Sequence, residues 1–401
     1  MDRWHEAARR PILGVDHPGT LLTLRGLAVI YRDEGRLKDA ERLNGEALQA
    51  QRRVLGAEHP DTLASERDQA MIYMLEGRYP EALALNRELI TIQRRRLGED
   101  HRVTLTIKHN IASILISEGK YAQAEPMQRD VVDAMRRVHG EEDFETLASM
   151  GNLALICGYE DKFAESAALY GKVVDGLRRV KGGEHLLTLK FMEGLAWDYD
   201  QMGKHAEADA LYAKVLEAQS RVLGKEHPDT LITVADMAAS YRRRGMYPQT
   251  EALLVAELNG RRHTLGGGHP DTLASIGDLG WLYVTEGRYA EADPLLREAA
   301  DKFAKAASDD WERYRVECAL GMSLAGQKQY GQAEPLLVDG FQKMMERKAS
   351  IPADGRREMA QAGEGIVRLY RDWGKPEKAS EWRPKLKEPG LPGANTGEAA
   401  R

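Results

Sequence analysis

The sequence predicts an all-α chain, a solenoid of about nine helical hairpins stacked one on the next. Three observations predict it. Gly56, Gly98, Gly140, Gly182, Gly224 and Gly266 recur every 42 residues without an insertion, and Gly14 extends the series backwards. A Thr-Leu pair keeps the same step: Thr20-Leu21, Thr62-Leu63, Thr104-Leu105, Thr146-Leu147, Thr188-Leu189, Thr230-Leu231 and Thr272-Leu273. A third position is small in every copy: Ala28, Ala70, Ala112, Ala154, Ala196, Ala238 and Gly280. A fixed period of this size means repeated copies of one supersecondary unit, each burying its apolar face against its neighbours, not one globular core.

The copy that starts at His59 shows the unit. Pro60 suits a first helical position, where its missing N–H has no partner to lose. Asp61 complements the positive end of the helix dipole. This helix is expected to run to about Glu76 and to stop at Gly77-Arg78-Tyr79. A second helix is expected from about Pro80 to Leu97, closed by Gly98 in the left-handed conformation. In the first helix, Leu63, Ala70 and Tyr73 share one stripe at helical spacing. The Tyr73 position is large or apolar throughout: Tyr31, Tyr73, Leu115, Cys157, Tyr199, Tyr241 and Tyr283. Early in the second helix the residue is usually small: Ala40, Ala82, Ala124, Ser166, Ala208, Thr250 and Ala292. Small positions let the partner helix approach closely.

These residues resemble the tetratricopeptide repeat. The small position, the tyrosine three later, the Gly-x-Tyr turn and the alanine after it all match. The 42-residue length and the phrase Gly-x-x-His-Pro-Asp-Thr-Leu resemble the kinesin light chain subtype more than the roughly 34-residue form. The resemblance covers about residues 1–345 and implies a right-handed superhelical solenoid. Two copies depart from it: Asp143-Phe144-Glu145 and His185-Leu186-Leu187 replace His-Pro-Asp. The expected organisation is a partial repeat or N-terminal cap over 1–14 and seven 42-residue units over 15–308. Degenerate units forming a C-terminal cap follow over 309–385, then a disordered tail over 386–401. Gly321, Leu324, Tyr330 and Ala333 fit an eighth unit with one residue deleted. Leu369-Tyr370-Arg371-Asp372-Trp373-Gly374 echoes Ile30-Tyr31-Arg32-Asp33-Glu34-Gly35, which places the end of a ninth hairpin near Lys385. Trp311 to Trp382 resembles the terminal cap of repeat regions attached to bacterial serine/threonine protein kinases. Residues 1–14 align with the second helix of a unit whose first helix is absent, so a helical cap and a chain cut from a longer parent both stay open.

Composition excludes several function classes. The net charge is −6, from 57 basic and 63 acidic residues, so no basic footprint for nucleic acid is present. No stretch approaches the ~18 apolar residues that a membrane span needs. Met1 to Arg10 is polar and has no apolar core, unlike a signal peptide. Two cysteines, Cys157 and Cys318, exclude a disulfide framework and fit a reducing, cytoplasmic compartment.

No chemistry-bearing constellation stands out. His17, His59, His101, His185, His227 and His269 are spaced one hairpin apart and cannot share an ion; a turn-and-cap role fits them. Gly266-Gly267-Gly268 lacks the Lys-Ser/Thr of a phosphate loop and reads as a relaxed linker. No kinase catalytic loop, Asp-Phe-Gly or Gly-x-Ser-x-Gly occurs. Acidic residues are placed on exposed helix faces. Cys157, in the tyrosine position, reads as a buried, inert thiol. No catalytic residue, metal or cofactor is expected.

The resemblance implies that the irregular face of the first helices lines a concave groove for an extended peptide. Read down the chain, that face offers Arg25, Arg67, Met71, His109, Asn110, Asn152, Trp197, Arg242, Asp278 and Trp281. Asn110 and Asn152 occupy equivalent places, and an amide both donates and accepts, so it can pair with a peptide backbone; similar asparagines in the family do so. Trp197 and Trp281 are either apolar anchors for a ligand or packing against a neighbouring hairpin. Arg25 and Arg67 either pair with ligand carboxylates or are solvated face residues. The resulting expectation is a non-catalytic scaffold for a protein or peptide partner. Two rivals stand beside it: a regulatory or sensory segment of a bacterial serine/threonine kinase system, and a self-associating scaffold.

Overall fold

The computed structural model describes residues 14, 16–348, 351 and 353–386. The partial repeat expected over 1–14, Gly14 apart, and the tail expected over 386–401, Leu386 apart, lie outside the described residues. Eighteen helices and no strand occur among the described residues. The chain forms two compact units, 1–211 and 212–401.

The first unit is built of hairpins. These are α1 (Pro18–Asp33) with α2 (Leu37–Val54), α3 (Pro60–Leu75) with α4 (Tyr79–Leu97), α5 (Arg102–Ser117) with α6 (Tyr121–His139), and α7 (Phe144–Tyr159) with α8 (Phe163–Val180). Next comes α9 (Leu186–Gln201), and the boundary between the units falls within α10 (His205–Val222). The second unit continues with α11 (Pro228–Arg243) and α12 (Tyr247–Leu265), α13 (Pro270–Thr285) and α14 (Tyr289–Lys305), α15 (Trp311–Gly326) and α16 (Tyr330–Glu346), and α17 (Ala353–Asp372) and α18 (Pro376–Lys385). This is an all-α solenoid of helical hairpins.

The repeated residues make the joints. Each first helix of a regular copy is opened by a histidine whose Nδ1 accepts the backbone N–H two residues on: His59 from Asp61 at 3.2 Å, His101 from Val103 at 3.2 Å, His269 from Asp271 at 3.2 Å. The histidines are thus N-caps, satisfying one of the donors a helix start leaves open. In the fourth copy Asp143 does the same work, its Oδ1 accepting from Glu145 at 3.0 Å and Thr146 at 3.2 Å. The threonine explains the second periodic signal. Thr62 Oγ1 donates to the Gly56 carbonyl at 2.8 Å and Thr104 Oγ1 to Gly98 at 2.9 Å, and the same bond closes at Thr20, Thr188, Thr230 and Thr272. Thr146, in the copy capped by Asp143, has no such partner. Gly56 and Gly98 have φ of 93°, a left-handed backbone that any side chain would strain. Gly266 is one of this series, with φ of 82°, so it is a helix stop and not a relaxed linker.

Within a hairpin, Gly77 N–H bonds to the Met74 carbonyl and Arg78 N–H to the Tyr73 carbonyl, at 3.1 and 2.9 Å, which closes the first helix in a Schellman-like turn. Arg78 then lies over the Tyr73 ring with its guanidinium carbon 4.1 Å from the centroid, and Arg36 covers Tyr31 and Arg288 covers Tyr283 likewise. The small positions are sealed: Ala70 and Ala82 are buried, and at Gly280 an added Cβ would stand 2.5 Å from Leu296. A ladder of exposed ion pairs ties the loop before each first helix to the end of the following second helix, as in Glu142–Arg179 at 2.9 Å and Glu226–His263 at 2.6 Å. Such pairs contribute at most about 1 kcal/mol each, so apolar burial holds the hairpins.

Candidate peptide-binding face

In the first unit the irregular residues of α1, α3, α5, α7 and α9 fall into engaged and unengaged groups. Arg25 is engaged: its Nε donates to Asp68 Oδ2 at 2.6 Å, and Arg32 approaches the other oxygen at 3.8 Å. Asp68 therefore serves two guanidiniums of the preceding first helix, α1. Arg67, beside it, is half-buried and has no hydrogen bond or ion pair among the described residues. Burial lowers its pKa, Asp68 opposes that shift and Arg25 adds to it. Met71, one turn along α3, is also half-buried.

On α5, His109 is tied inward. Its Nδ1 lies 3.2 Å from Gln128 Nε2 and 3.3 Å from Ser149 Oγ, and its Nε2 lies 3.4 Å from the Asn152 amide. Burial pushes the His109 pKa down, against the Gln128 bond, so the ring is neutral. Asn152 is thereby a link between α5 and α7, reaching Ser113 Oγ at 3.4 Å as well. Asn110 differs from it: half-buried, with no hydrogen bond among the described residues. Trp197 packs on the preceding hairpin, its ring 5.4 Å from Phe163 edge-on and 6.2 Å from Tyr159. Of the two readings of this residue, packing is the one the geometry shows.

In the second unit the expected open face is corrected. Arg242 of α11 pairs with Glu358 of α17, and Glu358 Oε2 also takes Arg315 Nη1 at 3.0 Å. Arg315, only 3% exposed, bonds Asp278 at 2.8 Å and Glu312 at 2.8 Å. Burial works against the charge on Arg315, but Glu312, Asp278 and Glu358 outweigh it and raise its pKa well above the ordinary value. Trp281 is 2% exposed, and its Nε1 donates to Gln361 Oε1 of α17 at 3.0 Å. Arg242 and Trp281 are thus engaged by α17, and Asp278 by Arg315 of α15. A cavity of about 180 Å³ remains there, lined by Arg242, Trp281, Glu358 and Gln361 among others. Three residues of this network, Arg315, Glu358 and Gln361, escape sequence reading. No periodic signal marks Arg315: the corresponding position varies from Ala64 and Ala274 to Leu22, Lys190 and Ile232.

The placement of acids on exposed faces is also corrected. Glu66, Asp198, Glu257 and Glu358 are buried. Glu66 is paired with Arg52 at 2.7 Å. Glu257, fully buried, meets Arg261 at 2.8 Å and accepts from Ser275 at 2.9 Å, yet burial pushes it up to about 7. Cys157 is buried, with its thiol pushed up to about 11 by burial, and remains protonated at neutral pH.

A family model described as the tetratricopeptide repeat matches six overlapping stretches: 19–95, 61–137, 103–179, 145–221, 201–254 and 230–305. The chain belongs to the tetratricopeptide repeat family. Comparison with curated proteins finds no match. Among solved structures, nearly identical TPR-like repeats ascribed to a kinesin light chain of Podosopora anserina are 27% identical; the alignment covers 52% of this chain and 98% of that one, with a TM-score of 0.44. The apo form of RapI is 12% identical over 92% of this chain and 98% of its own, at a TM-score of 0.61. The apo form of the quorum sensor NprR from B. thuringiensis is 13% identical over 90% and 96%, at 0.60. The last two show a shared fold. Tetratricopeptide repeats stack into solenoids with extended binding surfaces. No helix among the described residues is long and apolar enough to cross a membrane.

Proposed function

We propose that this tetratricopeptide repeat chain is a non-catalytic interaction scaffold, and that the first-helix face of its first unit holds an extended segment of a partner protein. One observation carries the reading. Arg67 and Asn110, on successive first helices, are half-buried and without polar partners, whereas their neighbours Arg25, His109 and Asn152 are tied to other side chains. A half-buried guanidinium and a half-buried amide leave strong hydrogen-bonding capacity unused at the surface. A peptide backbone at Asn110 with a carboxylate at Arg67 uses both, and Met71 offers an adaptable apolar contact. In the second unit, α17 takes the corresponding place with Glu358 and Gln361, so the proposed ligand lies on the first unit. The scaffold is read as bacterial and cytoplasmic; two free, buried cysteines support a reducing compartment.

The test is selection of random 12-residue peptides on the immobilised full-length chain, followed by titration of the selected peptides against Arg67→Ala and Asn110→Ala. Weakening by about tenfold or more is expected in Arg67→Ala, since a hydrogen bond to a charged group contributes about 1.5–3 kcal/mol, and by about two- to tenfold in Asn110→Ala, where a neutral bond contributes about 0.5–1.5 kcal/mol. Unchanged affinity in both variants defeats the assignment of the face. The resemblance of Trp311–Trp382 to caps of kinase-attached repeats supports a second reading, a regulatory segment of a bacterial serine/threonine kinase system. Capture of such a kinase from the native host, lost on deletion of α15–α18, is its test.

A further inference from the structure

In three successive copies one core position of the first helix is isoleucine: Ile72, Ile114 and Ile156, all buried. In α9 that position is Asp198. Its carboxyl is 0% exposed, and neither oxygen has a hydrogen-bond partner. What faces it is unsuited to a charge. Gly158 of α7 lies against it: a Cβ added there would stand 3.3 Å from Asp198 Oδ1 and 3.0 Å from the Trp197 ring. The nearby Ser166 hydroxyl of α8 donates instead to the Ala154 carbonyl, at 2.7 Å. Tyr170 of α8 is the titratable neighbour, and Cys157, Tyr159 and Glu193 act on that same tyrosine. Each of these groups is neutral or becomes negative, and no cation acts on Asp198. His205 pairs with Asp200, not with Asp198. Burial pushes the Asp198 carboxyl up to about 7, and the Ser166 hydroxyl only partly opposes it.

We propose that Asp198 makes the packing of α9 on the α7–α8 hairpin sensitive to pH: the neutral carboxyl sits dry against Gly158, and the carboxylate draws water into the joint and frees Trp197 from Phe163 and Tyr159. Because Gly158 seats both the Trp197 ring and the Asp198 carboxyl, hydration of one disturbs the other. The direction follows from proton linkage. In the opened joint the carboxyl has its ordinary value of 3.8, and in the packed joint it is near 7. The packed form therefore holds the proton, and its advantage is complete below about pH 4, falls as pH rises, and is lost at about pH 7, above which it no longer changes. Trp197 lies on the face proposed for peptide binding, so a ligand there would meet a different surface on the two sides of this transition. That consequence rests on the peptide reading; the joint itself does not.

The experiment is hydrogen exchange of the full-length chain between pH 5 and pH 8, as protection factors, for the wild type, Asp198→Asn and Asp198→Ile, with fluorescence of the Trp197→Phe difference as a second readout. Protection of the α8–α9 amides in the wild type is expected to fall by up to about tenfold per pH unit up to pH 7 and then level. Both variants are expected to hold constant protection there, and the α3–α4 amides to show no such trend in any protein. Constant wild-type protection through pH 8, or the same decline in Asp198→Asn, overturns the proposal. Asp198→Asn keeps the shape of the side chain, so a folding failure of Asp198→Ile leaves the test decisive. Loss of peptide binding alone would not bear on it.

Discussion

Glu358 and Arg242 form an ion pair although 116 residues separate them in the sequence. Both belong to the second unit, and the pair joins its first whole helix, α11, to α17. Glu358 is 6% exposed and shares its charge with Arg315. Truncating one member of a buried charge network leaves the others uncompensated, at a cost of about 3–5 kcal/mol. Glu358→Ala is expected to destabilise the second unit by about that much in urea denaturation. Glu46→Ala, at an exposed i,i+4 pair with Arg42, is expected to cost under about 0.5 kcal/mol. Equal effects of the two would mean that the network is not a holding element.

The histidine caps predict a specific pattern of replacement. His101→Ala removes the acceptor for the Val103 N–H and is expected to cost about 1 kcal/mol, read as faster exchange of the first-turn amides of α5. His101→Asp is expected to restore protection, because Asp143 already performs this role in the next copy. Failure of aspartate to rescue would show that the imidazole does something besides capping.

Two glycines inside helices should respond oppositely to alanine. At Gly321 an added Cβ would stand 2.9 Å from the Leu337 backbone nitrogen and 3.2 Å from the Ala333 carbonyl oxygen, neither of which can move aside cheaply. Gly321→Ala is expected to destabilise by about 1–3 kcal/mol through overpacking. Gly45, in α2, has nothing within 4 Å of its would-be Cβ. Gly45→Ala is expected to stabilise by up to about 1 kcal/mol through helix propensity. Thermal midpoints of the two variants check both signs.

The buried Glu257 predicts pH-dependent stability of the second unit. Its pKa rises from 4.5 to about 7 on folding, first through burial and then through the Asp278 charge, with Arg261 opposing. The folded state thus binds the proton more tightly. Stability from this group is complete below about pH 4.5 and is lost as pH rises to about 7. Glu257→Gln is expected to remove that part of the pH dependence, seen as a smaller fall in the urea midpoint between pH 5 and pH 7 than in the wild type. An identical fall in both proteins would exclude Glu257 as its source.

The regular hairpins were readable because their determinants are local. The helix expected to end at about Glu76 ends at Leu75, and the one expected from Pro80 begins at Tyr79; the one-residue differences lie within the fraying of helix ends. His59, Thr62 and Gly77 act on backbone groups within six residues of themselves, so a short window contains cause and effect. The state of the face was less readable. Whether Trp281 meets a ligand or Gln361 depends on a contact across 80 residues, set by how the hairpins of the second unit curve. Periodicity identifies a face but carries no information about curvature. Asp198 was legible in principle, since a carboxyl follows isoleucine at Ile72, Ile114 and Ile156, but counting acids as exposed hid it.

The bond from the threonine hydroxyl to the glycine carbonyl six residues earlier, made at Thr20, Thr62, Thr104, Thr188, Thr230 and Thr272, has a consequence for the history of such chains. Each of these joints is completed inside one short stretch, with no member borrowed from a distant copy. Unequal crossing-over between neighbouring copies of the gene segment therefore adds or removes a whole hairpin and leaves each junction chemically intact. Length becomes a quantity that recombination adjusts in single steps, while the covered face of the second unit, bound by the long reach from Arg242 to Glu358, is where such a change in copy number would be felt.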